Sequence, residues 1–343
     1  MHHLTICYIG INYAELHMSH YSPLISAFVT LLLTLILTLN KEGLLQDIPN
    51  DRSLHTEPIP RTGGIALMAG ILSGWMLMIQ FWAWWIVLPA LGLFVLSLVD
   101  DMRSLTPKTR LIGHFVAALV VLGGAGVDWL WLLPVLLFIV WMTNLYNFMD
   151  GSDGLAGGMA LFGFSYYGIA GLMHGDESFA MMNFSIGAAA LGFLYHNFHP
   201  AKVFLGDAGS IPLGFLAAAF GVWGWQQGYW PFWFPILVFS PFVADATLTL
   251  FKRVRRKEKL DQAHRSHYYQ RLVQMGWGHR NTALVEYLLM FLAGASALWG
   301  ISLDIQGQGN LLAWWGAIYL GLTMWVDRRW RRYQAINENI ADN

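Results

Sequence analysis

The chain has 343 residues, of which 56% are hydrophobic and 12% charged, with 17 tryptophans. That charged share is about half of what soluble domains carry, and apolar stretches of membrane-crossing length recur from end to end, which excludes a soluble globular protein. The net charge of −1 names no partner because the charges are segregated along the chain, and the single cysteine, Cys7, excludes an internal disulfide.

Residues 1–17 lack a basic stretch ahead of an apolar core and so do not read as a cleavable signal peptide. Met18 directly precedes the first clear apolar run, so translation could begin there as well as at Met1. Spans are expected near 22–40, 63–80, 83–99, 111–126, 129–146, 154–173, 180–196, 208–226, 231–251, 281–301 and 310–327. This is an all-α polytopic membrane protein of ten or eleven transmembrane helices, read as a single domain over 1–343. All 20 lysines and arginines fall in alternate loops and the tail, whereas the intervening loops carry acids such as Asp128, Asp176, Glu177 and Asp304. The positive-inside rule places the basic loops, including 252–280, and the tail 328–343 in the cytoplasm, and the segment 1–21 outside, as in a bacterial inner-membrane protein. Gly70 and Gly74 make a GxxxG spacing suited to helix packing.

The polar loops of the cytoplasmic side carry the chemistry. In HTEPIPRTGG, Pro58 and Pro60 stiffen an extended approach, Gly63 and Gly64 let a helix begin beside another backbone, and Arg61 is either a phosphate clamp or an interfacial charge. Asp100 and Asp101 end the third span, where the helix dipole disfavours negative charge, so a cation, a shared proton, or pairing with Arg103 or Lys108 is expected. NLYNFMDGSDGLAGG brings Asn144, Asn147, Asp150 and Asp153 into a glycine-flanked stretch, more than a hydrated turn with Asp153 as a cap requires. In NFHPAKVFLGDAGS, Asp207 opens a span, where an acid can hold Mg²⁺ against a phosphate, with Asn197 and Phe204 nearby. Asp245 falls inside or near the inner end of the ninth span, with functional and structural readings equally open. AHRSHYYQRL offers His264, Arg265 and His267 as a pyrophosphate-binding cluster, after a basic run that reads as a lipid-headgroup anchor. From Tyr268 this loop reads as amphipathic, with Leu272, Met275 and Trp277 in the membrane interface. His196 and His199 read as interfacial, and His55, His114 and His279 as satisfied polar residues at membrane ends.

With these loops in view, roughly residues 40–280 resemble the polyprenyl-phosphate N-acetylhexosamine-1-phosphate transferases, a glycosyltransferase-4-like family. The resemblance is carried by Asp100–Asp101, the block from Asn144 to Ala156 and FLGDAGS from Phe204 to Ser210, with PRTGG and the histidine loop in support. It implies a helix bundle with a cytoplasmic cleft, Asp207 as a ligand of Mg²⁺ (or Mn²⁺), and Asp100 and Asp101 as catalytic acids near the lipid phosphate, with His264 and His267 alongside them. It further implies that Asn147, Asp150, Asp153 and Phe204 bind the nucleotide, Phe204 by stacking on uracil, and that Asn197 is another polar residue of the site; Asn144, Arg61 and Arg265 are substrate-binding candidates read from the loops themselves. The implied partners are undecaprenyl phosphate, a UDP-N-acetylhexosamine and membrane lipids, with no nucleic acid; a homodimer is left open. His-Arg-Ser-His departs from the three consecutive histidines of the muramoyl-peptide enzymes and looks more like the branch that starts O-antigen or other surface glycans, including those of 6-deoxy sugars. The muramoyl-pentapeptide transferases remain one alternative and an ion-coupled transporter the other. The transporter class places acids at the bilayer midplane within internal repeats, whereas here they cluster at helix ends and no repeat is visible.

Overall fold

A computed structural model describes residues 19–39, 45–49, 58–259 and 264–341. Met18 as a start, Cys7, Lys41, Arg52 and His55 lie outside the described residues. The architecture is all-α, as expected, with one exception: β1 (Gln46–Asp47) pairs antiparallel with β2 (Ile59–Pro60) ahead of the second span. The helices are α1 (Ser22–Leu39), α2 (Gly63–Trp75, tightening to a 3₁₀ turn over Met76–Phe81), α3 (Trp84–Arg103), α4 (Pro107–Ala125) and α5 (Leu132–Phe148). There follow α6 (Leu155–Met173), α7 (Glu177–Asn197), α8 (Asp207–Gln226), α9 (Trp233–Val238), α10 (Ser240–Arg255), α11 (Tyr268–Leu272), α12 (Gly278–Ile301) and α13 (Ile305–Ala341). Among the described residues, nine helices are long and apolar enough to cross a membrane. The broken pair α9–α10 and the first part of α13 occupy the other two expected spans.

Local chemistry accounts for the boundaries. Thr106 caps α4 through the Thr109 amide with Pro107 in the first turn, and Asp176 caps α7 through the Phe179 amide. The ninth span breaks at Phe239 because Pro241 begins a new helix there. The last span continues through the expected tail as one 37-residue helix. Leu272 packs with Tyr268 and Val326, and Met275 and Trp277 lie against them. Val326 brings the neighbouring α13 into this cluster.

Helix α8 is the axis of the bundle, buried along most of its length, with α3 and α5 on its flanks. Helices α1, α2 and α7 pack tightly because glycines face small polar side chains. A Cβ on Gly70 would lie 1.9 Å from Thr30 Oγ1, and one on Gly74 2.1 Å from Ser26 Oγ, so the GxxxG spacing is a helix-packing device.

The connections sort to two ends. At one end Tyr229 donates to Asp176, Trp233 to Gln308, Trp131 stacks edgewise on Trp225, and His20 approaches Glu177. At the other end lie all the motif loops.

Candidate active site

The site is built at the N-terminus of α8. The Phe204 amide donates to the Pro60 carbonyl, and the Gly63 and Gly64 amides donate to the carbonyls of Phe204 and Leu205, at 2.8–2.9 Å. The glycine pair is required by this approach: a Cβ on Gly64 would sit 2.3 Å from the Gly209 nitrogen. The first polar loop and the FLGD loop are thereby zipped together, which brings Arg61 to the mouth of α8.

Asp101 Oδ2 accepts from the Ala208 amide at 3.1 Å, so the acid that ends α3 caps the helix that Asp207 begins. The adjacent Asp100 has a different task. Its Oδ1 accepts from the Leu105 amide, and its Oδ2 lies 3.2 Å from Arg110 Nη1. The same guanidinium nitrogen lies 3.5 Å from Asp207 Oδ2. Arg110 therefore bridges carboxylates 107 positions apart in sequence, whereas Arg103 and Lys108, the expected partners of these acids, are exposed. Arg110 bears on the electrostatics of the site, yet in the sequence it counts only as a topology charge. Its register in the first turn of α4, antiparallel to α3 across the Ser104–Thr106 turn, was the signal available.

Arg61 pairs with Asp47 of β1 at 3.3 Å and lies within electrostatic reach of Asp101, Asp150 and Asp207. Asp150, in the turn between α5 and α6, is pushed well above the usual carboxylate range by burial first and then by the charges of Asp207, Asp101 and Asp47, with Arg61 opposing. Asn147 Oδ1 accepts from Ser210 Oγ at 2.7 Å, fixing the end of α5 to α8. Asn144 sits a turn deeper and bonds His114 Nδ1 at 3.1 Å, so His114 is satisfied as expected.

Asp153 and Asn197 form a second, adjoining group. Asp153 Oδ2 takes His199 Nδ1 at 2.7 Å and the Ala201 amide at 3.2 Å, and its Oδ1 lies 3.7 Å from His279. The two imidazoles stack with rings 5.6 Å apart and 8° from parallel. Asn197 accepts from the Gly154 amide and donates to the Val203 carbonyl, joining both loops. His199 is tied to a motif acid, and His279, 126 residues from Asp153, belongs to the same group, a distance no local pattern could reveal. Phe204 is half-buried at the edge of this group.

The histidine loop is held from behind. Asp245 Oδ1 accepts from His267 Nδ1, the Tyr268 amide and Thr249 Oγ1, and its Oδ2 accepts from the Tyr269 amide, all within 3.1 Å. Asp245 therefore caps α11 and holds the start of the histidine loop. His267 is buried between His264, Phe148 and Tyr269, and the Tyr269 hydroxyl reaches the Phe148 carbonyl at 3.2 Å. This seats the loop against the Asp150 turn, with His264 half-buried and Arg265 exposed. Among the described residues no ion pair or hydrogen bond joins it to Asp100, Asp101 or Asp207.

The glycosyl transferase family 4 model matches residues 83–224. The chain is 31% identical over 272 residues to a probable undecaprenyl-phosphate N-acetylglucosaminyl 1-phosphate transferase of Bacillus subtilis, covering 74% of this chain and 76% of the relative. It is 30% identical over 328 residues to the decaprenyl-phosphate N-acetylglucosaminephosphotransferase of Mycobacterium leprae, covering 79% and 80%. A phospho-N-acetylmuramoyl-pentapeptide-transferase of Oceanobacillus iheyensis matches at 29% over 48% of this chain and 60% of the relative. The chain belongs to the polyprenyl-phosphate hexosamine-1-phosphate transferase family.

As a member of that family the protein is a multi-pass membrane enzyme, and the transporter reading lapses. The transferase sets four carboxyl groups, Asp100, Asp101, Asp150 and Asp207, against two guanidiniums at a helix N-terminus, with burial and mutual repulsion raising the pKa of Asp101, Asp150 and Asp207. Among the described residues no group of three or more acids, histidines or cysteines is arranged to hold a metal alone. Mg²⁺ needs no such group, since it takes one or two carboxylates and completes its shell with water and substrate phosphate. Asp207, with its side chain 25% exposed against 7% for Asp100, is the acid a substrate-borne ion can reach, so the donor set fits.

Proposed function

We propose that this transferase moves N-acetylhexosamine 1-phosphate, including that of a 6-deoxy sugar, from a UDP-sugar to undecaprenyl phosphate at the cytoplasmic face of the bacterial inner membrane. The products are undecaprenyl-diphospho-sugar and UMP, and the step begins O-antigen or another surface glycan. A phosphate oxygen of the lipid bonds to the β-phosphorus as the bond to the UMP oxygen breaks. The observation that carries this reading is Arg110 held between Asp100 and Asp207, at the N-terminus of α8 where Asp101 caps the helix.

Asp207, with Asp101 beside it, would hold Mg²⁺ or Mn²⁺, which when bound supplies positive charge to the diphosphate. Arg61 and Arg110 bind phosphate oxygens and offset the repulsion between two anionic substrates. A phosphate monoester loses its second proton near pH ~6, so the lipid nucleophile needs little help from a base. Asp100, locked by the Leu105 amide and Arg110, orients the guanidinium. Asn144, Asn147, Asp150, Asp153, Asn197 and Phe204 form the donor-nucleotide wall. His267 places His264 and Arg265 over the Asp150 turn, where they receive the pyrophosphate.

The muramoyl-pentapeptide donor is the second reading, favoured only by the shorter match to those relatives. Radiolabel transfer by the purified protein, with undecaprenyl phosphate and a panel of UDP-sugars including UDP-N-acetylmuramoyl-pentapeptide, decides between them. A UDP-N-acetylhexosamine is expected to give labelled lipid and UMP, and Asp207→Ala to give none. Transfer from the pentapeptide donor alone would replace the proposal.

A further inference from the structure

The histidine loop has a second anchor, on a helix outside the residues that the family model matches. Arg271 of α11 donates from Nε to the Ser266 carbonyl at 2.8 Å, and Gln274 Nε2 donates to the Arg265 carbonyl at 3.1 Å. Arg271 is held in turn by α13. Its Nη1 donates to Asp327 Oδ1 at 2.9 Å, and its guanidinium lies 5.1 Å over the Tyr268 ring and 5.7 Å over that of Trp330. Asp327 Oδ2 accepts from Lys252 of α10, which also reaches the Tyr268 hydroxyl.

The placement of Asp327 is selective. Val326, Asp327 and Trp330 are buried or half-buried on one face of α13, whereas Arg328, Arg329, Arg331 and Arg332 are exposed. The Arg271 side chain is only 5% exposed. A guanidinium that deep is costly without a counter-ion, and removing one partner of such a pair leaves the other charge uncompensated. A chain of contacts therefore runs from α13 through Arg271 to the peptide that follows Ser266. Arg265 is exposed, so what fixes its direction is the backbone next to it.

We propose that Asp327 is a positioning residue for donor binding: through Arg271 it fixes the Ser266 carbonyl, and with it the direction in which Arg265 meets the pyrophosphate. This rests on the histidine loop being the pyrophosphate site. Asp327 acts from outside the acid cluster: among the described residues no hydrogen bond or ion pair joins it to Asp100, Asp101, Asp150 or Asp207.

The test measures binding of UDP and of UMP to the full-length protein in phosphatidylcholine nanodiscs with Mg²⁺ present. UDP carries the pyrophosphate whatever the sugar, and UMP lacks the second phosphate. Asp327→Asn is expected to weaken UDP binding about 10-fold and to leave UMP binding within about twofold of the parent, a split that general loosening of the fold would not give. Arg271→Lys, which keeps the charge but not the fork, should act alike. In an Arg265→Ala background Asp327→Asn should weaken UDP binding no further, because the side chain it aims is gone. Arg332→Gln, exposed on the same helix, should change neither affinity. A parent protein that binds UDP no tighter than UMP would overturn the pyrophosphate reading, and the proposal with it. A parent that prefers UDP, with Asp327→Asn and Arg271→Lys keeping that preference or losing both ligands equally, would overturn the proposal alone. Additive losses in the Arg265→Ala background would do the same.

Discussion

Arg110 shows how much one side chain can decide. A lysine there keeps the charge but cannot present a planar fork to Asp100 and Asp207 together. Loss of one charge-assisted hydrogen bond is worth roughly 1.5–3 kcal/mol, so Arg110→Lys is expected to lower kcat by about 10–100-fold with the melting temperature little changed. Steady-state transfer assays beside thermal melts check this. His264 is a second case. Burial, followed by the neighbouring His267 and Arg253, lowers its pKa from the usual 6.5 to about 4, so the folded protein holds it neutral at pH 7. Between those two values the unfolded chain binds the proton and the folded one does not. The stability this residue contributes is therefore complete above pH 6.5 and lost as pH falls toward about 4. Melting curves from pH 7 to pH 4 should accordingly be flatter for His264→Gln than for the parent protein. An unchanged slope would show that the imidazole titrates as if exposed.

Among the elements, the join between the Arg61 loop and the α8 loop rests on glycine. At Gly64 an added Cβ would meet backbone atoms of Ala208 and Gly209 at 2.3–2.7 Å, and backbone cannot swing aside as a side chain can. Gly64→Ala is expected to cost about 1–3 kcal/mol and to displace Arg61 from the acids, lowering both melting temperature and transfer rate. Gly92 is the control: it is exposed within α3 with nothing near its Cβ position, so Gly92→Ala should leave activity alone and stabilise slightly. The capped start of α11 illustrates the same level of organisation. The histidine loop takes its position from an acid on α10, and that acid is oriented by four donors rather than by substrate.

Across the whole molecule, loops from five separate regions meet at one end of the bundle, and the acids Asp128, Asp176, Glu177 and Asp304 face the other. In a Cys7→Ser background, Arg103→Cys and Lys202→Cys, both exposed at the motif end, should label from the cytoplasm, and Asp304→Cys from the opposite side. Labelling of residues 103 and 202 from different compartments would break the shared site.

Helix number, approximate boundaries and the segregation of charge were readable in the chain because apolar length and basic loops are local properties. The acids at 150, 153 and 207, each beside a glycine, and the adjacent pair at 100 and 101 stood out for a similar reason: carboxylates at the end of an apolar run have no cheap local explanation. What answers each acid was not readable. Arg110, Ala208, His199, His279 and the amides on Asp245 come from other elements, and their choice depends on which faces of α3, α4, α8 and α10 turn inward. Periodicity constrains a helix's exposed face only weakly when lipid and protein interior are equally apolar. Packing of glycine against backbone and of polar against polar groups, which exists only in the folded bundle, selects the faces.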